Sequence, residues 1–264
     1  MENSVEVESF DSAFKDPAPS IALPETVIVE LHRGLLNPST GQWQTTAEVR
    51  ELTGKDEEFL ASLESNKTIT YAMYVNQLVS RATVRIGDTQ IQGNKSLIEE
   101  LITGDRDTLL LGIIKATYGP ERTFTYPCDS CRTPNSITIE LDTDFPMQTA
   151  KENLREPFEV LFKKGKKVKF RYPVGSDNIA MGKGETTAQQ STILISRCVV
   201  WPEHKDSLFN EEWAKNLSMN DRNLVLKALL SPKVGPKLGE VNTQCVHCGA
   251  DITVNIDWVS LLLA

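Results

Sequence analysis

Four of the five cysteines stand in two Cys-x-x-Cys pairs, Cys128/Cys131 and Cys245/Cys248. Two residues between ligands let both thiolates of a pair reach one ion while backbone amides point at the sulfurs. Two such pairs supply the four ligands of a closed tetrahedral zinc site. A closed site leaves no position for water or substrate, so the chemistry is structural and Zn2+ is the expected cofactor. The alternative is that the pairs are unrelated: a disulfide, a redox dithiol or chance spacings. A redox dithiol sits at a helix N-terminus in a βαβ context. Here Phe124 and Tyr126 alternate before the first pair, Ile137, Ile139 and Leu141 after it, and Ile252, Val254 and Ile256 after the second, which is strand periodicity. "ITIELD" after Cys131 and "ITVNID" after Cys248 read as two copies of one hairpin arm.

Other residues with chemical potential have simpler readings. Cys198 lies in the apolar run "ILISRCVV", where core packing is expected of a free cysteine. His247 sits between two presumed ligands and could replace one, but four sulfurs already complete the site. His32 and His204 lack a ligand-spaced partner. "GSDNIAMGKG" at 175–184 resembles a phosphate loop only superficially, because its glycine spacing is wrong and Gly184 stands where a magnesium-binding Ser or Thr belongs. The acidic pairs Glu57/Glu58, Glu99/Glu100 and Glu211/Glu212 read as solvated charges on helix faces. No catalytic constellation emerges, and an enzyme is not expected.

Composition narrows the class further. The chain of 264 residues, with 40% hydrophobic and 24% charged residues, has the make-up of a soluble globular protein with room for a sizeable core. No run approaches the roughly 20 apolar residues that span a bilayer. Met1 to Pro19 is acidic and lacks an apolar signal core, so no targeting peptide is expected. A reducing cytoplasm, which favours metal over disulfide, follows. The net charge of −8 counts against nucleic-acid binding, which needs a concentrated basic face. The one candidate is Lys163, Lys164, Lys166, Lys167, Lys169 and Arg171, read as a hairpin turning at Gly165 whose lysines guard an exposed edge. An anionic partner could use this 163–171 patch.

The elements that must position the cysteines follow from periodicity. Residues 1–24 are acidic and proline-bearing and read as an extended arm that orders on a partner. Val27, Val29 and Leu31 predict a strand closing at Gly34, "NPSTG" a turn, and Trp43 the start of the return strand. Thr45 and Glu48 make a capping-box pattern that predicts a helix through Val49 and Leu52. Further helices are expected around Phe59 to Leu63, Ile69 to Val79, Leu97 to Thr103 and Arg106 to Tyr118, making 25–120 mainly helical. Residues 121–142 and 241–264 form the zinc ribbon. The insertion 143–240 holds a hairpin (Glu159–Phe162 and Val168–Tyr172), helices at Thr187–Val199, Glu211–Leu217 and Asp221–Leu230, and the linker "SPKVGPKLG". The fold class is therefore α+β: a helical region with short strands, a zinc ribbon and an inserted α/β segment. Bridging Cys131 to Cys245 closes a loop of over a hundred residues, worth about 4–5 kcal/mol of unfolded-state entropy in the cross-link picture.

The order of motifs carries a resemblance. "VRELTGKDEEFL" (Val49 to Leu60), "LITGDRDTLLLGIIKATYG" (Leu101 to Gly119) and then a Cys-x-x-Cys knuckle resemble the small zinc-finger baseplate hub proteins of contractile-tailed bacteriophages. The likeness covers roughly residues 45–142 and returns at 241–257. Gly54, the Gly104–Asp105–Arg106 turn and Tyr118–Gly119 fit it, whereas Arg132 stands where that family's first knuckle commonly carries glycine. The resemblance implies a structural baseplate subunit near the hub or tube–wedge junction, with hub, wedge or tube proteins as partners. It would be located in the virion tail and pass through the host cytoplasm during assembly. A transient hub assembly chaperone and a zinc-ribbon nucleic-acid-binding protein are the alternatives. The apolar tail, Trp258 with Leu261 to Leu263, is expected to serve docking.

Overall fold

The computed structural model describes residues 23–64, 70–203 and 206–263. The expectations for Ile69, His204 and nearly all of the N-terminal arm lie outside these residues. The chain opens with a hairpin of β1 (Thr26–Leu36) and β2 (Trp43–Arg50). Its turn is set by Asn37, whose side-chain oxygen accepts from the N–H groups of Ser39 and Thr40, the local bond that makes asparagine a turn residue. Strand β1 does not stop at Gly34 as expected. It continues through an irregularity between Glu30 and Leu35, where Gly34 has φ +79° and a Cβ would lie 2.2 Å from the carbonyl oxygen of Gln44.

The helix predicted from Thr45 and Glu48 does not form. Strand β2 runs through these residues, pairing with β1 on one side and with β3 (Thr83–Ile86) on the other. Ala47 and Val49 face the core and are fully buried. A central strand satisfies its backbone groups on both edges and buries alternate side chains, which outweighs a local capping preference. A helical hairpin follows, α1 (Gly54–Glu64) and α2 (Tyr71–Ala82). Next come β3, β4 (Thr89–Gln90), α3 (Lys95–Glu99) and α4 (Thr103–Tyr118). The sheet order is β1-β2-β3-β4, so the mainly helical region also carries a four-stranded sheet. Helix α4 packs on β1 and β2 where Gly112 admits Val29, whose Cγ1 would lie 2.6 Å from an added Cβ. The Gly104–Asp105–Arg106 segment is the first turn of α4 and not a connection between helices.

Two hairpins bear the cysteines: β5 (Glu121–Pro127) with β6 (Pro134–Glu140), and β12 (Glu240–Gln244) with β13 (Asp251–Asn255). Between them lie β7 (Met147–Gln148), β8 (Phe158–Leu161), β9 (Lys167–Phe170), α5 (Gly175–Met181), α6 (Thr187–Cys198), β10 (Val199–Val200), α7 (Ser207–Lys215), α8 (Met219–Leu230) and β11 (Gly235–Pro236). The inner faces of both cysteine hairpins, Ile137, Ile139, Ile252 and Val254 among them, join the same core as β1, β2 and α4. The intervening segment builds a second core from Val160, Phe170, Leu194, Ile195 and Val225, with Trp213 and Trp201 packed against it. Ile102, Leu154, Tyr172 and Val174 form a small cluster of their own.

Two stretches read as loose are packed. In the expected linker, Gly235 and Pro236 are buried and pair with β7. Val234 lies so close to Gly104 that a Cβ there would meet its carbonyl oxygen at 2.0 Å. The apolar tail forms α9 (Trp258–Leu263), and Leu261 is fully buried in the first core instead of facing a partner. Among the described residues no helix is long and apolar enough to cross a membrane.

One buried carboxylate locks the first sheet to its helical hairpin. Asp56 takes Arg50 Nη1 and Nη2 at 2.7 and 3.0 Å, Arg81 Nε at 3.1 Å and the Thr53 N–H at 2.9 Å. Burial pushes its carboxyl up, but the bonds from Arg50 and Thr53 outweigh burial and hold it well below the usual carboxylate range. A depressed folded pKa contributes stability that is present above about pH 4 and lost as pH falls toward the folded value. Asp56→Asn, which leaves two arginines short of a counter-charge, should cost about 2 kcal/mol at pH 7. In urea unfolding, the gap between wild type and variant should shrink as the pH is lowered below about 4.

Candidate metal centre

Each cysteine pair sits on the loop of a hairpin whose strands alternate inward and outward residues, so register fixes where the loop points. The β5–β6 register runs from Glu121↔Glu140 to Pro127↔Pro134, and the β12–β13 register from Glu240↔Asn255 to Gln244↔Asp251. The loops close alike. Cys128 N–H donates to Thr133 O at 2.9 Å and Arg132 N–H to Cys128 O at 2.8 Å; Cys245 N–H donates to Ala250 O at 2.8 Å and Gly249 N–H to Cys245 O at 2.9 Å. Both loops need a left-handed residue after the second cysteine: Gly249 has φ +70° and Arg132 φ +62°. The arginine that replaces the expected glycine therefore adopts the glycine conformation, at a cost of about 1 kcal/mol.

The two loops meet. Cys128 Sγ lies 3.7 Å from Cys248 Sγ, Cys131 Sγ lies 3.6 Å from Cys245 Sγ, and all four sulfurs fall within 4.8 Å of one another. Sulfurs bound at about 2.3 Å to a tetrahedral ion would stand about 3.8 Å apart, so the donor set fits such an ion. All four are free thiols, with Cys128 and Cys245 buried, Cys131 half-buried and Cys248 exposed. The unrelated-pair alternative fails on this geometry, because the contacts join the two pairs to each other. His247 is exposed and its ring is not part of the cluster.

The surroundings act on the thiols unequally, favouring thiolate at Cys245 and Cys131 and opposing it at Cys248. The backbone N–H of Cys248, together with that of His247 and contacts with Asn135 and Cys131, holds the Cys245 thiol down to about 6 against the cost of burial. Thr133, whose Oγ1 is 3.3 Å from Cys131 Sγ, lowers the Cys131 thiol. The backbone N–H of Ala250 would lower Cys248, but the adjoining sulfurs of Cys131, Cys128 and Cys245, with desolvation, push it up to about 12. Four sulfurs so arranged could hold a cation. The buried Asn135 was not singled out by the sequence. Its amide donates to Thr133 O at 2.8 Å and its oxygen accepts from Val246 N–H at 3.0 Å, latching one loop to the other. Only the fold shows this, since an asparagine beside a cysteine loop is otherwise an ordinary turn residue.

The other candidates part company with the cluster. Cys198 is buried in the second core, where burial pushes its thiol up to about 12. "GSDNIA" forms α5 and no phosphate loop. In the basic patch, the five lysines from Lys163 to Lys169 are exposed, whereas Arg171 turns inward to Asp177 at 2.6 Å and leaves that surface. His32 contributes its backbone N–H to Asp105 at 2.6 Å.

The molecule is thus a mixed α+β protein whose two cysteine hairpins close on one four-thiol cluster. The family described as T4 bacteriophage base plate protein matches residues 36–212, more than half of the chain, and the chain belongs to it. The match takes in Cys128 and Cys131 and ends before Cys245 and Cys248. No curated protein and no solved structure matches the chain. Membership makes this a phage baseplate component, which places it in the virion tail among other baseplate or tail proteins.

Because Arg132 holds φ +62°, Arg132→Gly should raise the melting temperature by about 2 °C. Gly249→Arg should lower it by a similar amount, both read by differential scanning calorimetry.

Proposed function

We propose that this chain is a structural subunit of a contractile-tail baseplate, at the hub or the tube–wedge junction, with one structural zinc ion held by Cys128, Cys131, Cys245 and Cys248. The baseplate role is carried by the family match across residues 36–212. The zinc reading rests on the four sulfurs lying within 4.8 Å of one another. Zinc is favoured because thiolate donors in a closed four-coordinate set suit it. When bound, the ion supplies positive charge and cross-linking, while the chain's own amides and Asn135 orient the sulfurs.

The protein acts by binding and not by catalysis. Supporting this, the buried carboxylates Asp56, Asp105 and Asp177 are each engaged in bracing backbone or arginine groups. The exposed lysines of the β8–β9 hairpin offer an anionic partner a docking edge, with Lys166 Nζ 5.8 Å from the Trp201 ring centroid. Such a contact would weaken with salt.

Metal analysis of purified protein should give one zinc per monomer. Cys245→Ser should abolish binding and expose the 240–255 hairpin to limited proteolysis; unchanged zinc content in that variant would contradict the assignment. Quantitative mass spectrometry of mature phage particles should find a fixed small copy number relative to the tail-tube protein. Presence in assembly intermediates but absence from particles would instead identify an assembly factor.

A further inference from the structure

We propose that the chain is an internal duplication: two copies of one β/α module, each ending in a Cys-x-x-Cys half-site, so that the metal centre is the clasp between copies. The first copy spans 26–140 and the second 158–255. The order of elements repeats. A hairpin (β1–β2, then β8–β9) leads to a helical pair (α1–α2, then α5–α6) and a third strand (β3, then β10) that pairs antiparallel with the second strand of its hairpin. A further helix (α4, then α8) and a cysteine hairpin (β5–β6, then β12–β13) complete each copy.

The side chains repeat with the elements. "RELTGKD" at 50–56 and "RYPVGSD" at 171–177 share the form Arg-x-x-x-Gly-x-Asp. In the second copy Arg171 Nη1 and Nη2 meet Asp177 at 2.6 and 3.0 Å, Arg197 Nε meets it at 2.7 Å, and Val174 N–H at 2.9 Å. These are the atoms and roles of Arg50, Arg81 and Thr53 around Asp56. Even the carbonyl contacts match: Arg50 Nη2 donates to Arg81 O at 3.1 Å and Arg171 Nη2 to Arg197 O at 3.0 Å. Asp177 is held low like Asp56, with bonds from Arg171 outweighing its burial.

A second bracket repeats at this further helix. Asp105 in the first turn of α4 accepts from the N–H groups of His32, Arg33 and Gly34, and Asp221 in the first turn of α8 accepts from Lys163 N–H at 2.9 Å. The helix is thereby tied to the last part of β1 in the first copy and to the turn just after β8 in the second. The next residue is arginine both times, and each reaches its own copy's second helix: Arg106 to Asn76 at 2.7 Å, Arg222 to Thr192 at 2.9 Å.

Register argues against coincidence. Asn76 and Thr192, Leu78 and Leu194, Val79 and Ile195, Arg81 and Arg197, Asp105 and Asp221, and Leu109 and Val225 all stand at one constant offset in the chain. The cysteines and the left-handed pair Arg132 and Gly249 stand at that offset plus one residue. The Arg-x-x-x-Gly-x-Asp segments stand five residues beyond that offset, a length difference that falls ahead of the second helix of each copy. An arginine–aspartate bracket at a helix start could arise anywhere, but independent origin gives no reason for the second helix, the further helix and the cysteine loop to keep a common spacing. Divergence is visible as well. Helix α4 is buried on nearly every side, whereas α8 leaves Met219, Leu224 and Leu230 exposed.

If the half-sites are copies, they should be interchangeable in the full chain. The test is to exchange hexapeptides 128–133 and 245–250, then measure zinc content and melting temperature. Retention of one zinc per chain with a melting temperature within about 5 °C of wild type is expected. Loss of zinc, folded or not, would overturn the proposal. A second chimaera exchanging 50–56 with 171–177 tests the brackets independently of the metal. It should unfold cooperatively and keep its zinc, and a chain that does not fold would count against common descent of the two modules.

Discussion

Four thiol sulfurs packed within 4.8 Å of one another set the main physical constraint on this molecule. Two unit charges about 4 Å apart repel by roughly 4 kcal/mol at an effective dielectric of 20, so the four cannot all ionise without a cation between them. Cys245 is held down by backbone N–H groups while the adjoining sulfurs push Cys248 up, which is the same conflict. A divalent ion bound among them would relieve it. The residues that meet here come from opposite ends of the long segment joining the hairpins, so satisfying the sulfurs fixes both ends of that segment at once.

Around this clasp, buried carboxylates do the work that sheets and hydrophobic faces leave undone. Asp56 and Asp177 each neutralise two arginines while binding the N–H of the loop that enters a helix. Asp105 gathers three successive N–H groups from a strand irregularity. Its burial raises its pKa even as those bonds lower it, the balance expected when a charged group is held by backbone dipoles. Each brace ties a helix N-terminus to a strand, so the elements are fixed in angle as well as in contact. A baseplate component benefits from such stiffness, because less ordering is left to be done on assembly.

Much of the cysteine region was legible in the chain itself. Ligand spacing, the flanking alternation and the paired arms of "ITIELD" and "ITVNID" all survive in the hairpins. The helices near Thr187 and Asp221 also lie close to where periodicity put them. Strand β2 was misread because Thr45 and Glu48 satisfy a local capping rule, and nothing local announces that two strands will flank this segment. The linker around Gly235 was misread for the opposite reason: Gly and Pro mark loops, yet here glycine permits backbone-to-backbone approach to Gly104.

By itself the sequence determined the two cysteine pairs and the strand character around them, because these depend on residue type and short spacing. It also contained both Arg-x-x-x-Gly-x-Asp segments, whose meaning stays hidden while their second arginines, Arg81 and Arg197, are known only as charges on distant helices. Tertiary structure alone decided that the pairs face each other, that Asn135 latches the loops, and that the tail and linker are packed. Those outcomes depend on which distant backbone and side-chain groups are left to satisfy one another once water is excluded.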